Sequence, residues 1–441
     1  MVFGEKILDY KEDILNTLAQ LIKIESVSAY GNKQPQQALE YMLNKAQQLG
    51  LSTENVDNIA GHIQYGSGER LCGVLTHLDV VPAGQGWSVE PFELTRKNGR
   101  LYGRGIADDK GSAVIAMYCL KALKDNNITA NSTLRLILGT NEETGMTDVK
   151  HYFSKMPLPQ ISFTPDSDYG ICNCEKGILQ FALTGKNNSQ IISSAKAGCA
   201  VNAVPDKAEL TLSQSLDDTL NDEYISVEGN RLVAKGIASH AMEPHKGFNS
   251  ISYAINKLKA VFKNESLGDL ADFICRYIGT ETNGSSMGIA CSDKASGELT
   301  LNLGVLEIDS DTATAKIDVR YPVTASYEEI TDKIKSLAEE YNLEYKDESH
   351  LKPLNVAPDS DIIKMLKSAY SDVTGEQPNL YSTGGGTYAR ALGNRGVAFG
   401  PVFPDDYSNM HKPDESLDEE KFFLHAQICL QAMYKMFTDM F

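Results

Sequence analysis

The sequence predicts an α/β protein: an open, mostly parallel sheet with flanking helices, interrupted by an inserted α+β domain. Three observations carry this. Two unbroken apolar runs, LCGVLT (71–76) and TLRLIL (133–138), flank the helical stretch GSAVIAMYCLKALKDNN, and strands that do not alternate are those buried on both faces of a parallel sheet. After about residue 178 the pattern turns to period two, in LQFALTG, KAELTLS, ELTLNLGVLEID and ATAKIDVRYPV, as in sheets solvated on one face. From about residue 356 the first style returns. The economical arrangement is a discontinuous domain, 1–177 and 356–441, with 178–355 inserted; a chain of 441 residues also exceeds the ~100–200 residues of one domain.

Each element has its own signal. Residues 5–23 and 35–49 carry apolar side chains at helical spacing, and Gly50 follows the second as a C-cap. In the insert, SISYAINKLKAVF reads as a helix between strands. The return contains a helix in SDIIKMLKSAY, a strand in GVAFG, and a last helix opened by SLDEEKFF, where Ser416 and Glu419 fit a capping box.

Charge and composition exclude several classes. Lys plus Arg number 41 against 59 Asp plus Glu, a net charge of −18, which argues against nucleic acid or an anionic membrane as partner. No run reaches the ~18 apolar residues of a membrane span. The start, MVFGEKILDYKEDIL, has no apolar signal region, and the eight cysteines are scattered, so a cytoplasmic protein with reduced thiols is expected. Cys172 and Cys174, the one close pair, read as semi-buried thiols ahead of a redox or metal pair.

Chemistry concentrates in loops at the ends of first-domain elements. THLDVVP offers His77 and Asp79 after a strand; if the chain is still extended there, the two share a face, and the Asp79 carboxylate can take one imidazole N–H while the other nitrogen binds a metal. GRGIADDKG places Asp108 and Asp109 before a helix, where capping alone would account for either. LGTNEETG sets Glu142 and Glu143 side by side at a strand end, and FTPDSDYG carries Asp166 and Asp168. Singly each is an ordinary surface acid or histidine. Together they lie where open α/β sheets place sites, beyond the carboxyl ends of strands. An imidazole with several carboxylates suits Zn²⁺, Mn²⁺ or Co²⁺ better than Ca²⁺. A second imidazole is available in MHKPDES, His411.

These motifs, HLDVVP, GRGIADDKG, NEETG, TPDSDYG, GGGTYAR and MHKPDE in this order, resemble those of the di-metal exopeptidases and deacylases that include carnosinase, aminoacylase, succinyl-diaminopimelate desuccinylase and carboxypeptidase G, most of all the bacterial peptidase V group of dipeptidases. The resemblance spans essentially the whole chain. It implies a di-zinc exopeptidase fold whose insert is a lid, and two divalent ions per chain, Zn²⁺ first, with Mn²⁺ or Co²⁺ as alternatives. His77 and Asp166 would bind one ion, Glu143 and His411 the other, and Asp108, before a cis peptide, would bridge them; Asp79 would orient His77. Glu142 would stay unligated as the base for the bridging water. Three ligand carboxylates and one hydroxide would balance the four positive charges of two divalent ions.

For the insert, the resemblance points to His240 in GIASHAMEPHKGFNS as the group that meets the tetrahedral intermediate, with His245 as competitor. It assigns Asn202 to substrate contact and Arg320, at the end of KIDVRYPV, to the substrate carboxylate, which a planar guanidinium binds in bidentate fashion. Without it, Arg320 reads as a surface ion pair. Gly384, Gly385 and Gly386 offer a backbone that can approach a ligand closely. The long insert fits the doubled lid of the peptidase V type, which implies a monomer with the lid histidine acting in cis. The expected activity is hydrolysis of unblocked dipeptides, a small peptide being the only partner, with N-acyl amino acid deacylation as the alternative and an inactive binding protein as a remote third.

Overall fold

The computed structural model describes residues 2–217 and 220–439. The chain divides into two compact units, one of residues 1–173, 354–381 and 386–441 and the other of residues 174–353 and 382–385.

The first unit begins with a 3₁₀ segment, Phe3–Tyr10, that leads into α1 (Lys11–Ile22). Helix α2 (Lys33–Gln48) ends as its sequence implies: Gly50 takes φ +73°, and the Leu51 N–H closes back on the Ala46 carbonyl at 3.0 Å. There follow β1 (Ser52–Val56), β2 (Ala60–Gly66), β3 (Arg70–His77), α3 (Lys110–Asp125), β4 (Ser132–Gly139), α4 (Thr147–Lys155), β5 (Ile161–Thr164) and β6 (Ile171–Glu175).

The inserted unit contains β7 (Gly177–Lys186), β8 (Ile192–Ala197), β9 (Lys207–Leu212), β10 (Ile225–Glu228), β11 (Arg231–Lys235), α5 (Ser250–Val261), β12 (Thr300–Ile308), β13 (Thr312–Tyr321), α6 (Tyr327–Glu339) and β14 (Glu344–Leu351). The chain then returns through β15 (Leu354–Asn355), α7 (Asp361–Thr374), β16 (Gly396–Ala398), β17 (Ser416–Asp418) and α8 (Glu419–Thr438).

The sheet of the first unit runs β1-β2-β4-β3-β5-β16-β6-β15, with Leu380–Thr383 also paired to β6. Its centre is parallel (β4, β3, β5, β16) and its β1–β2 edge antiparallel. Strands β3 and β4 are buried nearly throughout, the reason they read as continuous apolar runs. They pair in parallel with His77 opposite Gly139, so both end level at one rim of the sheet. Helix α3 is buried from Lys110 to Leu120 and packs with α8 in the same core.

The inserted unit is an antiparallel sheet, β10-β11-β9-β8-β12-β13-β7-β14, with α5 and α6 packed in its core. β9 alternates exposed and buried positions as its sequence predicts. β14 carries no strand signature in its sequence, because EYKDESHL is polar on both faces, which an edge strand tolerates.

One local expectation is corrected. The last helix is capped by Asp418, whose carboxylate accepts the Lys421 N–H at 3.0 Å, not by Ser416. Ser416 starts β17, and its hydroxyl accepts from the Arg100 guanidinium at 3.2 Å. Among the described residues no helix is long and apolar enough to cross a membrane.

Candidate metal centre

Three strand ends and a helix start of the first unit converge. His77 is the last residue of β3, Glu142 and Glu143 follow the end of β4, Asp166 stands two residues beyond β5, and Asp108 precedes α3. His411 joins them from the loop before β17, at φ +62°.

The side chains form two clusters that share one residue. In the first, His77 Nε2 lies 2.8 Å from Asp108 Oδ1 and 3.8 Å from Asp166 Oδ2. In the second, His411 Nε2 lies 2.9 Å from Asp108 Oδ2 and 3.3 Å from Glu143 Oε2. Either trio, His77–Asp108–Asp166 or Asp108–Glu143–His411, brings its donor atoms within reach of a single ion, and Asp108 turns one oxygen to each. Glu142 belongs to neither trio. The Asp108–Asp109 peptide is cis.

The donor set fits divalent cations on evidence beyond proximity. His77 Nε2 and Glu143 Oε1 are buried and make no aligned hydrogen bond, although Nε2 is only 2.8 Å from a carboxylate oxygen. One such atom stands in each cluster, and a buried polar atom left so would otherwise carry a desolvation cost of about 1–3 kcal/mol. Mixed imidazole and carboxylate donors suit Zn²⁺, Mn²⁺ or Co²⁺.

Without cations the centre is crowded with like charges. Burial, then the neighbouring Asp108, pushes Asp166 up to about 7. Burial likewise drives Glu142 well above the carboxylate range; nearby His77 opposes this, while Asp166, Glu143 and Asp108 add to it. Glu143 is raised by burial and by Asp108. Burial would raise Asp108 too, but the close imidazoles of His411 and His77 hold it far below its ordinary value. The same contacts, first with Asp108 and then with Glu143, raise His411 to about 11, and burial of His77 is outweighed by Asp108 and Asp79 so that its imidazole also rises.

Asp79 requires a correction. Its carboxylate does not take the imidazole N–H: His77 Nδ1 is 2.9 Å from the Asp79 main-chain carbonyl and 3.6 Å from Oδ1. A donating Nδ1–H leaves the Nε2 lone pair available to a cation, and the ring is held by the Asp79 backbone instead of its carboxylate. The carboxylate, fully buried, accepts instead the main-chain N–H groups of Glu142 (3.0 Å) and Glu143 (3.2 Å).

Two more buried carboxylates hold the same loops: Asp109, which the sequence offered only as a helix cap, and Glu415, which it did not single out. Asp109 Oδ2 accepts the His77 N–H at 3.2 Å. Glu415, paired with Arg104 at 2.6 Å, accepts from the N–H groups of Gly105, Ala107 and Asp108 and so ties the Asp108 loop to the loop of His411. A hint lay in MHKPDES, where an acid follows the histidine closely.

In the second unit, Asn202 and His240 lie on two paired loops: Ala203 bridges His240, and the Ala241 N–H donates to the Asn202 carbonyl at 2.9 Å. Both residues are exposed. The Met242 N–H donates to His240 Nδ1 at 3.1 Å, which places the proton of the neutral ring on Nε2. His245 instead lines a cavity of about 240 Å³ with Phe248, Asn249 and Asn302, a cavity whose wall does not include His240.

Arg320 is ion-paired, but in the interior: Nε and Nη2 reach the fully buried Asp318 at 2.5 and 2.8 Å, and Nη1 donates to the Gly384 carbonyl at 2.9 Å. One N–H on each terminal nitrogen is left for a further acceptor. Gly384 is close to Met242, whose Cβ would lie 2.7 Å from any Cβ added there, and Gly385 donates to Thr383 at 3.0 Å; Gly386 belongs to the first unit. Cys172 and Cys174 are both buried thiols.

Comparison with known proteins gives three findings. The model of Peptidase family M20/M25/M40 matches residues 73–435. The Bacillus subtilis (strain 168) protein named Putative dipeptidase YtjP is 33% identical over 98% of both chains, and a Staphylococcus epidermidis protein, also named Putative dipeptidase, is 31% identical over 99% of this chain and 100% of its own. Among solved structures, human carnosine dipeptidase 1 superposes with a TM-score of 0.61 at 15% identity, covering 98% of each chain. The Saccharomyces cerevisiae dipeptidase Dug1p does so with a TM-score of 0.61, also at 15% identity, covering 99% of this chain and 98% of its own.

Proposed function

As a member of peptidase family M20/M25/M40, to which this chain belongs, the protein is a metallohydrolase, and we propose that it is a dipeptidase cleaving the peptide bond of unblocked L-dipeptides. The observation that carries this reading is the pair of clusters sharing Asp108 with Glu142 left outside both. His77, Asp108 and Asp166 would hold one divalent cation, and Asp108, Glu143 and His411 the second. When bound, two such ions supply Lewis-acid polarisation of the scissile carbonyl and lower the pKa of the attacking water. Zn²⁺ is the first choice, with Mn²⁺ or Co²⁺ able to substitute.

The chain's own groups do the rest. The Glu142 carboxylate takes a proton from the attacking water and returns it to the nitrogen of the leaving amine, a task for which a raised carboxylate is suited. His240, with its proton on Nε2, donates to the carbonyl oxygen as that atom gathers charge. Arg320, through its two remaining N–H groups, and Asn202 hold the substrate's polar ends, and Gly384 to Gly386 form a backbone against which it can lie. The reading includes a monomer that supplies His240 in cis and works in the cytoplasm.

The test is turnover of free dipeptides, a tripeptide and an N-acetylated amino acid by metal-stripped enzyme to which Zn²⁺, Mn²⁺ or Co²⁺ is returned. Metal-restored cleavage confined to free dipeptides is the expected result. Cleavage of the acylated compound alone moves the protein among deacylases, and no cleavage with any ion overturns the proposal.

A further inference from the structure

The Asp79 carboxylate takes two of the four main-chain N–H groups that follow β4. The preceding two N–H groups, of Thr140 and Asn141, both donate to Asp148 Oδ2, at 2.5 and 2.7 Å. Four consecutive main-chain donors, 140 through 143, are thus taken by two fully buried carboxylates. Asp148 sits in the first turn of α4 and folds back onto the strand that precedes its own loop. The loop closes on itself as well: the Met146 N–H donates to the Asn141 carbonyl at 2.8 Å, and Thr147 Oγ1 to the Asn141 side chain at 2.6 Å.

A distant residue completes the arrangement. The hydroxyl of Tyr388, a side chain 1% exposed, donates to the same Asp148 oxygen. The Tyr388 ring also meets the His77 imidazole edge to face, with centroids 6.0 Å apart and planes at 86°. One phenol therefore abuts a ligand of the first cluster and, through Asp148, the strand tip that carries the second. Space for it depends on Gly139, where any side chain would collide with the Tyr388 hydroxyl and the Asp148 carboxylate.

We propose that Asp148 and Tyr388 are positioning residues for the metal centre: with Asp79 they form a cradle that fixes the main chain of residues 140–143, and thereby sends Glu143 toward His411 and Asp108 while turning Glu142 away. The proposal rests on the assignment of Glu143 to a cation and Glu142 to proton transfer. Neither Asp148 nor Tyr388 touches substrate or ion in this role. Asp148 is too remote in sequence from Tyr388, and too ordinary as a helix first-turn acid, to have been singled out from the sequence.

The experiment titrates Mn²⁺ into metal-stripped wild type, Asp148→Ala, Asp148→Asn and Tyr388→Phe, with kcat and KM measured on a free dipeptide. Wild type should bind two equivalents. Asp148→Ala should weaken one equivalent by about ten- to a hundredfold, leave the other within about threefold, and lower kcat more than it raises KM. Asp148→Asn keeps one acceptor oxygen and should recover part of the loss. Tyr388→Phe retains the ring against His77 and removes only the hydroxyl, so it should show the same pattern at smaller size even if Asp148→Ala does not fold. Both equivalents and kcat within about twofold of wild type in folded Asp148→Ala and Tyr388→Phe overturn the cradle, as does equal weakening of the two equivalents. Wild type binding fewer than two Mn²⁺ overturns the underlying two-metal assignment instead, whatever the variants do.

Discussion

The two units present their candidate groups by different means. In the first, the main chain at His77, Asp108 and residues 140–143 is gripped by buried carboxylates of Asp109, Glu415, Asp79 and Asp148. In the second, Asn202 and His240 are exposed on loops held by main-chain pairing and by one buried amide, Asn302, whose side chain donates to the Val201 and Ala203 carbonyls at 3.0 and 2.9 Å. The first arrangement suits small, invariant partners such as metal ions, which demand donors within a few tenths of an ångström. The second would suit the proposed substrates, whose side chains differ from one dipeptide to the next.

The largest test of this contrast is Glu142→Gln. Its kcat should fall about 10²- to 10⁴-fold with two Mn²⁺ still bound, read by turnover and metal analysis, because a base is lost and a ligand is not. Loss of an ion would mean that the two glutamates have exchanged roles. His240→Ala should come next, lowering kcat by about 10²- to 10³-fold with both ions retained. Unchanged kinetics would move the role to His245, whose own substitution serves as the control.

A subtler break concerns protons. Asp166, raised from 3.8 to about 7, binds more protons in the folded than in the unfolded chain between those values; His411, raised from 6.5 to about 11, does so across its own interval. Both therefore make the metal-free fold less stable as pH rises through these windows. Thermal unfolding in the presence of a chelator should show Tm falling from about pH 5 to about pH 9, and Mn²⁺ should remove most of that decline because it replaces the protons. A Tm that rises over this range without metal contradicts the charge crowding of the centre. The smallest effect is expected of Asn302→Ala, which strands two carbonyls. It should cost about 1–3 kcal/mol of stability and raise KM a few-fold while leaving Mn²⁺ binding unchanged.

The sequence made the donor side chains legible more readily than their supports. His77, Glu143 and Asp166 follow apolar runs whose ends mark the rim of a parallel sheet, so their neighbourhood could be read from strand order alone. Asp79 was legible as a partner of His77, but which of its oxygens faced the ring was not, because that depends on how the chain turns after residue 77. Asp148 and Tyr388 lie 240 residues apart, and no local pattern couples a helix first-turn acid to a buried phenol. Arg320 hid for another reason: its partner Asp318 is two residues earlier on the same strand, and both lie on the face of β13 opposite the apolar Ala315, Ile317 and Val319, where burial leaves no apolar signature. Ser416 was misread as a cap because the three-residue β17 precedes the helix and period-two pairing over so short a span leaves no signature.

The level ending of β3 and β4, with His77 opposite Gly139, makes the pair a length standard for the centre. Adding one residue within either strand would carry every later side chain of that strand to the opposite face of the sheet, and His77 or the glutamates would leave together with it. Insertions are thus intolerable in those sixteen positions. The stretch between His77 and Asp108 is mostly loop but is tied at both ends, by Asp79 to residues 142 and 143 and by Gly105 and Ala107 to Glu415, so added segments are best placed in its exposed middle, around residues 84–86.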